Sequence, residues 1–175
     1  MDFTRYISAR VAREAGKGTS EWAKIIKWAK QPGMLNLGQG FPDFVPDFTM
    51  SGLSAGVKDA LQDNQLNQYS QQTGLLELRE AIARLHKVHF GETVAAADEV
   101  AVMPGGTGGL FAAAQAFVNP GDEVVVFDPS FPWYGPLTRF AGGQLRVVQL
   151  QEPEFRIDKA DCEAAFTDKT KLCII

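Results

Sequence analysis

Gly105-Gly-Thr-Gly-Gly109 stands between an apolar, β-branched run and an alanine-rich segment. Strand, glycine turn and helix in that order expose several backbone N–H groups at a helix N-terminus, where phosphate is the preferred guest. The chemistry this indicates is the grip of a phosphorylated small molecule. A dinucleotide is one form of that ligand. Gly106-x-Gly108 follows a strand, and Asp128 ends the next strand about 20 residues on, where a ribose-binding acid belongs. The third glycine of that fingerprint is replaced by Phe111, whose bulk would block close helix–strand packing. A P-loop is excluded, because no Gly-Lys-Ser/Thr follows the glycines. Glycines after a strand can also do no more than permit a tight turn. Metal chemistry is not indicated: His86 and His89 share a helix without an acidic or cysteine partner, and no Cys/His cluster has ligand spacing. Cys162 and Cys173 suit buried, reduced thiols better than a disulfide framework.

The elements that must position the turn read as an alternation. Residues 1–19 form an irregular arm, and Ser20 can cap a helix over 21–30 that Pro32-Gly33 ends. Residues 35–43 read as a short strand entering a glycine/proline turn, 47–61 as a helix and 66–70 as a polar loop. The clearest helix spans 74–90. Leu75, Leu78, Ile82, Leu85 and His89 fall on one stripe, while Glu77, Arg79, Glu80, Arg84 and Lys87 fall mostly away from it, and Gly91 is placed to end it. Strands are then expected over 99–103, 123–127, 144–150 and 171–175, and helices over 107–118, 133–141 and 159–166. Asn119-Pro-Gly-Asp122 reads as a turn, residues 155–157 as a short extended piece and Asp158 as an N-cap. The pattern predicts an α/β fold in three layers, α/β/α, with a largely parallel sheet and an N-terminal arm. Ligands of such sheets bind at the carboxyl ends of the strands, the edge to which Gly105–Gly109 and Asp128–Tyr134 belong. The closing Lys-Leu-Cys-Ile-Ile175 reads as a central buried strand, an ending that suggests a fragment.

Bulk properties narrow the partners. The 175 residues are 45% hydrophobic and 22% charged, the ordinary balance of a soluble globular protein with a real core. A net charge of −4 argues against nucleic acid, whose binders carry a basic footprint. No apolar run reaches bilayer length, and the arginine-bearing N-terminus has no apolar h-region, so neither membrane nor secretion is indicated. A cytoplasmic setting is expected, with an organellar one open.

Four distant segments then agree with one another. Asn36-Leu-Gly-Gln-Gly-Phe-Pro-Asp43 comes first. Gln68-Tyr-Ser70 with Gly74-Leu-Leu-Glu-Leu-Arg-Glu-Ala-Ile82 comes next, followed by Gly105-Gly-Thr-Gly-Gly-Leu110. Asn119-Pro-Gly-Asp-Glu-Val-Val-Val-Phe-Asp-Pro129 completes the set. In this order and spacing the chain resembles the N-terminal portion of class I/II pyridoxal-phosphate aminotransferases of fold type I. The likeness is nearest to the branch of kynurenine, glutamine and methionine aminotransferases and cysteine-conjugate β-lyases, and it runs from about Ala9 to Ile175. The resemblance implies an arm and the start of a small domain over 1–46, and the first part of the large cofactor-binding domain over 47–175.

It also implies roles. The cofactor is pyridoxal 5'-phosphate. The amides of Gly106 and Thr107 and the Thr107 hydroxyl would donate to its phosphate, Gly105 would permit the close approach, and Phe131 would stack on its ring. Tyr69 would reach the phosphate held by a neighbouring subunit, so a homodimer with shared sites is implied. Gly40 would lie beside the substrate carboxylate, and Trp22 and Tyr134 would line the side-chain pocket. Together with Trp133, these aromatics point to an aromatic or large apolar amino acid, in the range of kynurenine or methionine. The implied reaction moves an amino group from an amino acid to a 2-oxo acid.

The resemblance leaves a gap. None of the nine lysines stands in the serine-flanked context of the family's cofactor-binding lysine. The family's Asn-Pro-x-Gly segment, the aspartate that pairs with the pyridine nitrogen and the arginine that binds the substrate carboxylate lie beyond the matched region. The expectation is a chain that is silent by itself and a full-length parent that is the enzyme. Other readings are a C–S β-lyase or an aminocyclopropane-carboxylate-synthase-like enzyme on the same scaffold, an NAD-binding oxidoreductase, and a truncated partner without catalysis. Two local departures from the family pattern are Pro132 within Ser130-Phe-Pro-Trp133 and Gly109, where a bulkier small residue is common.

Overall fold

The computed structural model describes residues 7–14, 21–38, 44–45, 47–63 and 68–175. The helices among them are α1 (Ala9–Glu14), α2 (Glu21–Ala29), α3 (Asp47–Gln62), α4 (Leu76–Phe90), α5 (Gly105–Phe117), α6 (Tyr134–Ala141) and α7 (Lys159–Ala165). The strands are β1 (Glu123–Asp128), β2 (Gln144–Gln149) and β3 (Thr170–Ile174). The chain divides into two compact units, one of residues 1–18 with 102–175 and the other of residues 19–101.

The first unit is built on a parallel sheet in the order β2-β1-β3. β1 is the central strand, and its Val124-Val-Val-Phe run is what a strand covered on both faces requires. Val124 and Val126 pack with Ala114, Val118 and Ala141, against α5 and α6. Val125 packs with Val148 and Ala165, with Phe127 beside them, so α7 covers the opposite face. Helices on both faces of a parallel sheet make the three-layer α/β/α arrangement expected from the alternation. Burial of each of these valines contributes roughly 1.5–3 kcal/mol.

Local chemistry fixes the helix ends. The Asp158 carboxylate accepts the amides of Ala160 at 2.8 Å and Asp161 at 3.1 Å, the N-cap its position suggested. Gly91 ends α4 and Gly142 ends α6, each in the left-handed conformation that closes a helix. The turn before β1 is held by Asp122, whose carboxylate accepts the Asn119 amide at 2.8 Å.

Several expectations are corrected. Residues 99–103 form no strand. A strand needs a hydrogen-bonded neighbour, and neither outer edge of the three-stranded sheet takes this segment. Among the described residues β3 pairs only with β1 and alternates in exposure, so it stands at an edge of this three-stranded sheet and not at its centre. The arm is not wholly irregular: Ser8 accepts the Val11 amide through its hydroxyl at 3.3 Å and starts α1. Arg10 of α1 donates to the Phe140 carbonyl of α6 at 3.3 Å. Residues 34–38 are not extended into a strand; the Asn36 side chain accepts the Gly38 amide at 3.1 Å, a local bond that competes with pairing. Residues 39–43 and Ser20 lie outside the described residues. Both cysteines are free, but Cys173 is exposed and Cys162 only partly covered, since β3 is an edge and α7 is short. Residue 156 pairs only in an isolated antiparallel bridge, Gln151 with Arg156.

In the second unit α4 has the predicted amphipathic pattern, yet Leu75, Leu78, Ile82 and Leu85 are exposed. Periodicity names the face that seeks cover; it does not supply the covering element. The buried side chain of α4 is instead Arg79, which the pattern had placed on the polar side.

Candidate functional site

The glycine turn is shaped by Pro104. With φ −70° and ψ 76°, this residue forms an inverse γ-turn that brings the Gly105 amide 2.7 Å from the Met103 carbonyl. Gly105 then enters α5 at φ +77°, in the left-handed region where a Cβ is penalised. The first turn of a helix leaves its amides without intrahelical acceptors. Pro104 has no amide and that of Gly105 is used, so the open donors of this turn are the amides of Gly106 and Thr107.

Nothing in the first turn answers those donors. α5 carries no side-chain cap and no acidic residue there. Gly105, Gly106 and Thr107 are all exposed, and a Cβ at Gly105 or Gly106 would meet no atom within 4 Å. The helix dipole adds roughly half a positive charge at this end. Two aligned amides, an adjacent hydroxyl on Thr107 and open space in front of them form a donor set for a compact dianion. A phosphate monoester fits that set.

Phe131 stands three residues beyond the carboxyl end of β1. It is 42% exposed, so it is not a core phenylalanine. Tyr134 meets it edge to face at 5.7 Å between ring centroids, and the Tyr134 amide donates to the Phe131 carbonyl at 3.1 Å. Tyr134 is itself packed against the core cluster of α5, α6 and β1. The tyrosine therefore anchors a half-open aromatic face. A flat ring held in this way can support a heteroaromatic ligand on one side.

The other predicted residues lie elsewhere. Tyr69 belongs to the second unit and is fully exposed, just before a turn closed by the Gly74 amide donating to Gln71 at 2.9 Å. Trp22 lies on α2 of the same unit. Gly40 lies outside the described residues. The structure thus brings together Gly105, Gly106 and Thr107 as one donor set, and Phe131 and Tyr134 as one aromatic pair.

Two residues behave differently from their reading in the sequence. Phe111 is 45% exposed, so it is not fully enclosed between α5 and the sheet. Arg79 is 3% exposed, a burial that helical periodicity does not anticipate. Its Nε donates to the Gly74 carbonyl at 3.1 Å, and its Nη1 to the carbonyls of Ala96 at 3.1 Å and Ala97 at 2.9 Å. Its Nη2 donates to Gln71 Oε1 at 2.9 Å. The available signal was its place five residues after Gly74, on the first turn of a helix, within reach of the preceding turn's carbonyls.

Comparison with known proteins identifies the scaffold. The family model described as "Aminotransferase class I and II" matches residues 32–175. Methionine aminotransferase of Escherichia coli is 36% identical over 159 residues, covering 90% of this chain and 40% of that protein. Human kynurenine–oxoglutarate transaminase 1 is 33% identical over 166 residues, covering 88% of this chain and 39% of its own length. Among solved structures, an E. coli protein identified as having a methionine aminotransferase function superposes with a TM-score of 0.81 at 34% identity, over 95% of this chain and 42% of its own. A mutant aspartate aminotransferase of Thermus thermophilus gives 0.78 at 31% identity, over 97% of this chain and 44% of its own. The chain spans about two fifths of the length of the curated relatives it matches.

Proposed function

The chain belongs to the class I and II aminotransferases, and on that premise we propose that its glycine turn holds the phosphate of pyridoxal 5'-phosphate in an enzyme that moves an amino group from an amino acid to a 2-oxo acid. Class I and II aminotransferases are pyridoxal-phosphate enzymes. The observation that carries the reading is the pair of open amides at Gly106 and Thr107, set apart by the Gly105–Met103 bond in a first turn that carries no acidic residue.

In this reading the amides of Gly106 and Thr107 and the Thr107 hydroxyl fix the phosphate, and the left-handed Gly105 brings the backbone close to it. Phe131 restrains the ring from one side, braced by Tyr134. When bound, the cofactor supplies an electron sink for the bonds at the substrate's α-carbon. What these 175 residues do is bind, orient and shield one face. None of the nine lysines of this chain has the serine-flanked context of the family's cofactor-binding lysine, and the chain by itself is expected to be silent.

The finer assignments belong to the same proposal. As the resemblance implies, Gly40 is assigned to the substrate carboxylate, and Trp22 and Tyr134 to the side chain of an aromatic, kynurenine-like or methionine-like donor. Tyr69 reaches the phosphate of a second subunit, making the active unit a homodimer with shared sites. Residues 1–46 are arm and small-domain start, and 47–175 the opening of the large domain. No helix among the described residues is long and apolar enough to cross a membrane, and a cytoplasmic setting fits that.

The test uses the polypeptide expressed from its complete reading frame, stripped of cofactor and titrated with pyridoxal 5'-phosphate. Thr107→Ala removes a charge-assisted donor and is expected to weaken binding roughly 10- to 100-fold, while Thr107→Ser retains most of it. Unchanged affinity in Thr107→Ala, or saturable protection of the turn by a nicotinamide dinucleotide instead, refutes the phosphate cup. Release of pyruvate and ammonia without dependence on an oxo acid would move the reaction to β-elimination.

A further inference from the structure

Arg79 is a charge buried among neutral acceptors. Its four hydrogen bonds go to three backbone carbonyls and one amide side chain. Burying a guanidinium is costly unless its donors are satisfied, and an apolar residue on this helix would avoid that cost. What an apolar residue cannot do is join separate backbone segments in a fixed geometry. The planar guanidinium does so here: Nε and Nη2 hold the Gln71–Gly74 turn, and Nη1 holds the Ala96–Ala97 segment.

The turn it holds is tightly organised. The Gln71 carbonyl accepts the Gly74 amide at 2.9 Å and the Ser70 hydroxyl at 3.2 Å, while the Gln71 side chain accepts from Arg79. Tyr69 stands one residue before Ser70 and is fully exposed. The backbone leaving Tyr69 is therefore fixed to α4 within two residues, and its ring extends from that anchor into solvent. An exposed tyrosine on an untethered loop would lose conformational entropy on meeting a ligand; a tethered one loses less.

We propose that Arg79 is a positioning residue that presents Tyr69 to the cofactor phosphate of a second subunit. This rests on the function proposed above, in which Tyr69 contacts that phosphate. Arg79 itself touches neither cofactor nor substrate; it acts by fixing the turn that follows Tyr69. A lysine keeps the charge but cannot satisfy four acceptors in one plane.

A double-mutant cycle on the polypeptide from its complete reading frame, read as the dissociation constant of pyridoxal 5'-phosphate from the apoprotein, separates positioning from bulk stability. Tyr69→Phe is expected to weaken binding by about tenfold or more, as loss of a hydrogen bond to a charged group does. Arg79→Lys is expected to weaken it comparably. Adding Tyr69→Phe to Arg79→Lys should then cost less than about twofold further, since the hydroxyl is already misplaced. Multiplicative losses, no loss in Tyr69→Phe, or unchanged affinity in a folded Arg79→Lys protein would each overturn the proposal. If Arg79→Lys does not fold, Gln71→Ala removes one of the four bonds and leaves the backbone acceptors in place. The same non-additivity with Tyr69→Phe supports the proposal, and its absence overturns it. Thr107→Ala in the same titration distinguishes the two failures. If it also leaves affinity unchanged, the phosphate cup falls; if Thr107→Ala and Tyr69→Phe both weaken binding and Arg79→Lys does not, only the clamp falls; if Thr107→Ala alone weakens binding, the Tyr69 contact falls with the clamp.

Discussion

The Gly105 amide and the Met103 carbonyl are joined at 2.7 Å across Pro104. This one bond decides which amides of α5 remain open. It takes up the first, and with no amide on proline it leaves Gly106 and Thr107 to face solvent. Gly105 itself stands at φ +77°, so the residue that follows this bond is in a conformation that favours glycine.

Gly105→Ala is accordingly expected to cost about 1–2 kcal/mol from the left-handed penalty. No atom lies within 4 Å of the added Cβ, so the cost is conformational and not steric. Relaxing it means changing φ at residue 105, which turns the following peptide with the Gly106 amide and disturbs the open donors. The expected outcome is a lower melting temperature together with weaker pyridoxal 5'-phosphate binding. A stable variant with native affinity would show that the turn does not need this residue.

Gly143 makes a contrasting case. It is buried after α6, and an added Cβ would lie 2.6 Å from Val118 Cγ1 and 3.2 Å from the Asp122 carbonyl oxygen. Val118 belongs to the core cluster and cannot retreat freely. Gly143→Ala should therefore destabilise the fold by about 1–3 kcal/mol through overpacking. Denaturant unfolding measures this. Pairing with Val118→Ala should recover part of the loss, and strict additivity of the two would contradict the clash.

Asp122 gives a pH signature. The Asn119 backbone N–H, reinforced by the Asn119 side chain, holds its carboxyl below the usual carboxylate range, against a smaller opposing effect of burial. A depressed folded value means the carboxylate's contribution is complete above the unfolded value. It is lost as pH falls through the folded one. The gap in thermal midpoint between the native protein and Asp122→Asn should thus be widest near neutrality and close in strong acid. A gap that stays constant with pH would assign the role of Asp122 to something other than its charge.

Much of this was legible in the residues themselves. The Val124–Phe127 run specified a strand covered on both faces, Asp158 the cap of α7 and Gly91 the end of α4, because these are local preferences that neighbours in sequence can satisfy. The order of four motifs was enough to identify the scaffold and pointed to Gly105, Gly106 and Thr107 from the residues alone.

Other features depended on partners distant in the chain. Residues 99–103 have the composition of a strand but are unpaired, since pairing depends on an available edge and not on propensity. Leu78 and Leu85 mark an apolar face without determining what covers it. Arg79 was assigned to solvent by helical period, yet lies buried because the turn at Gln71–Gly74 and the carbonyls of Ala96 and Ala97 converge on it. Sequence determined the local conformations and the donor set. Tertiary structure decided pairing and burial, because hydrogen-bond partners and covering surfaces are supplied by segments whose meeting no local preference encodes.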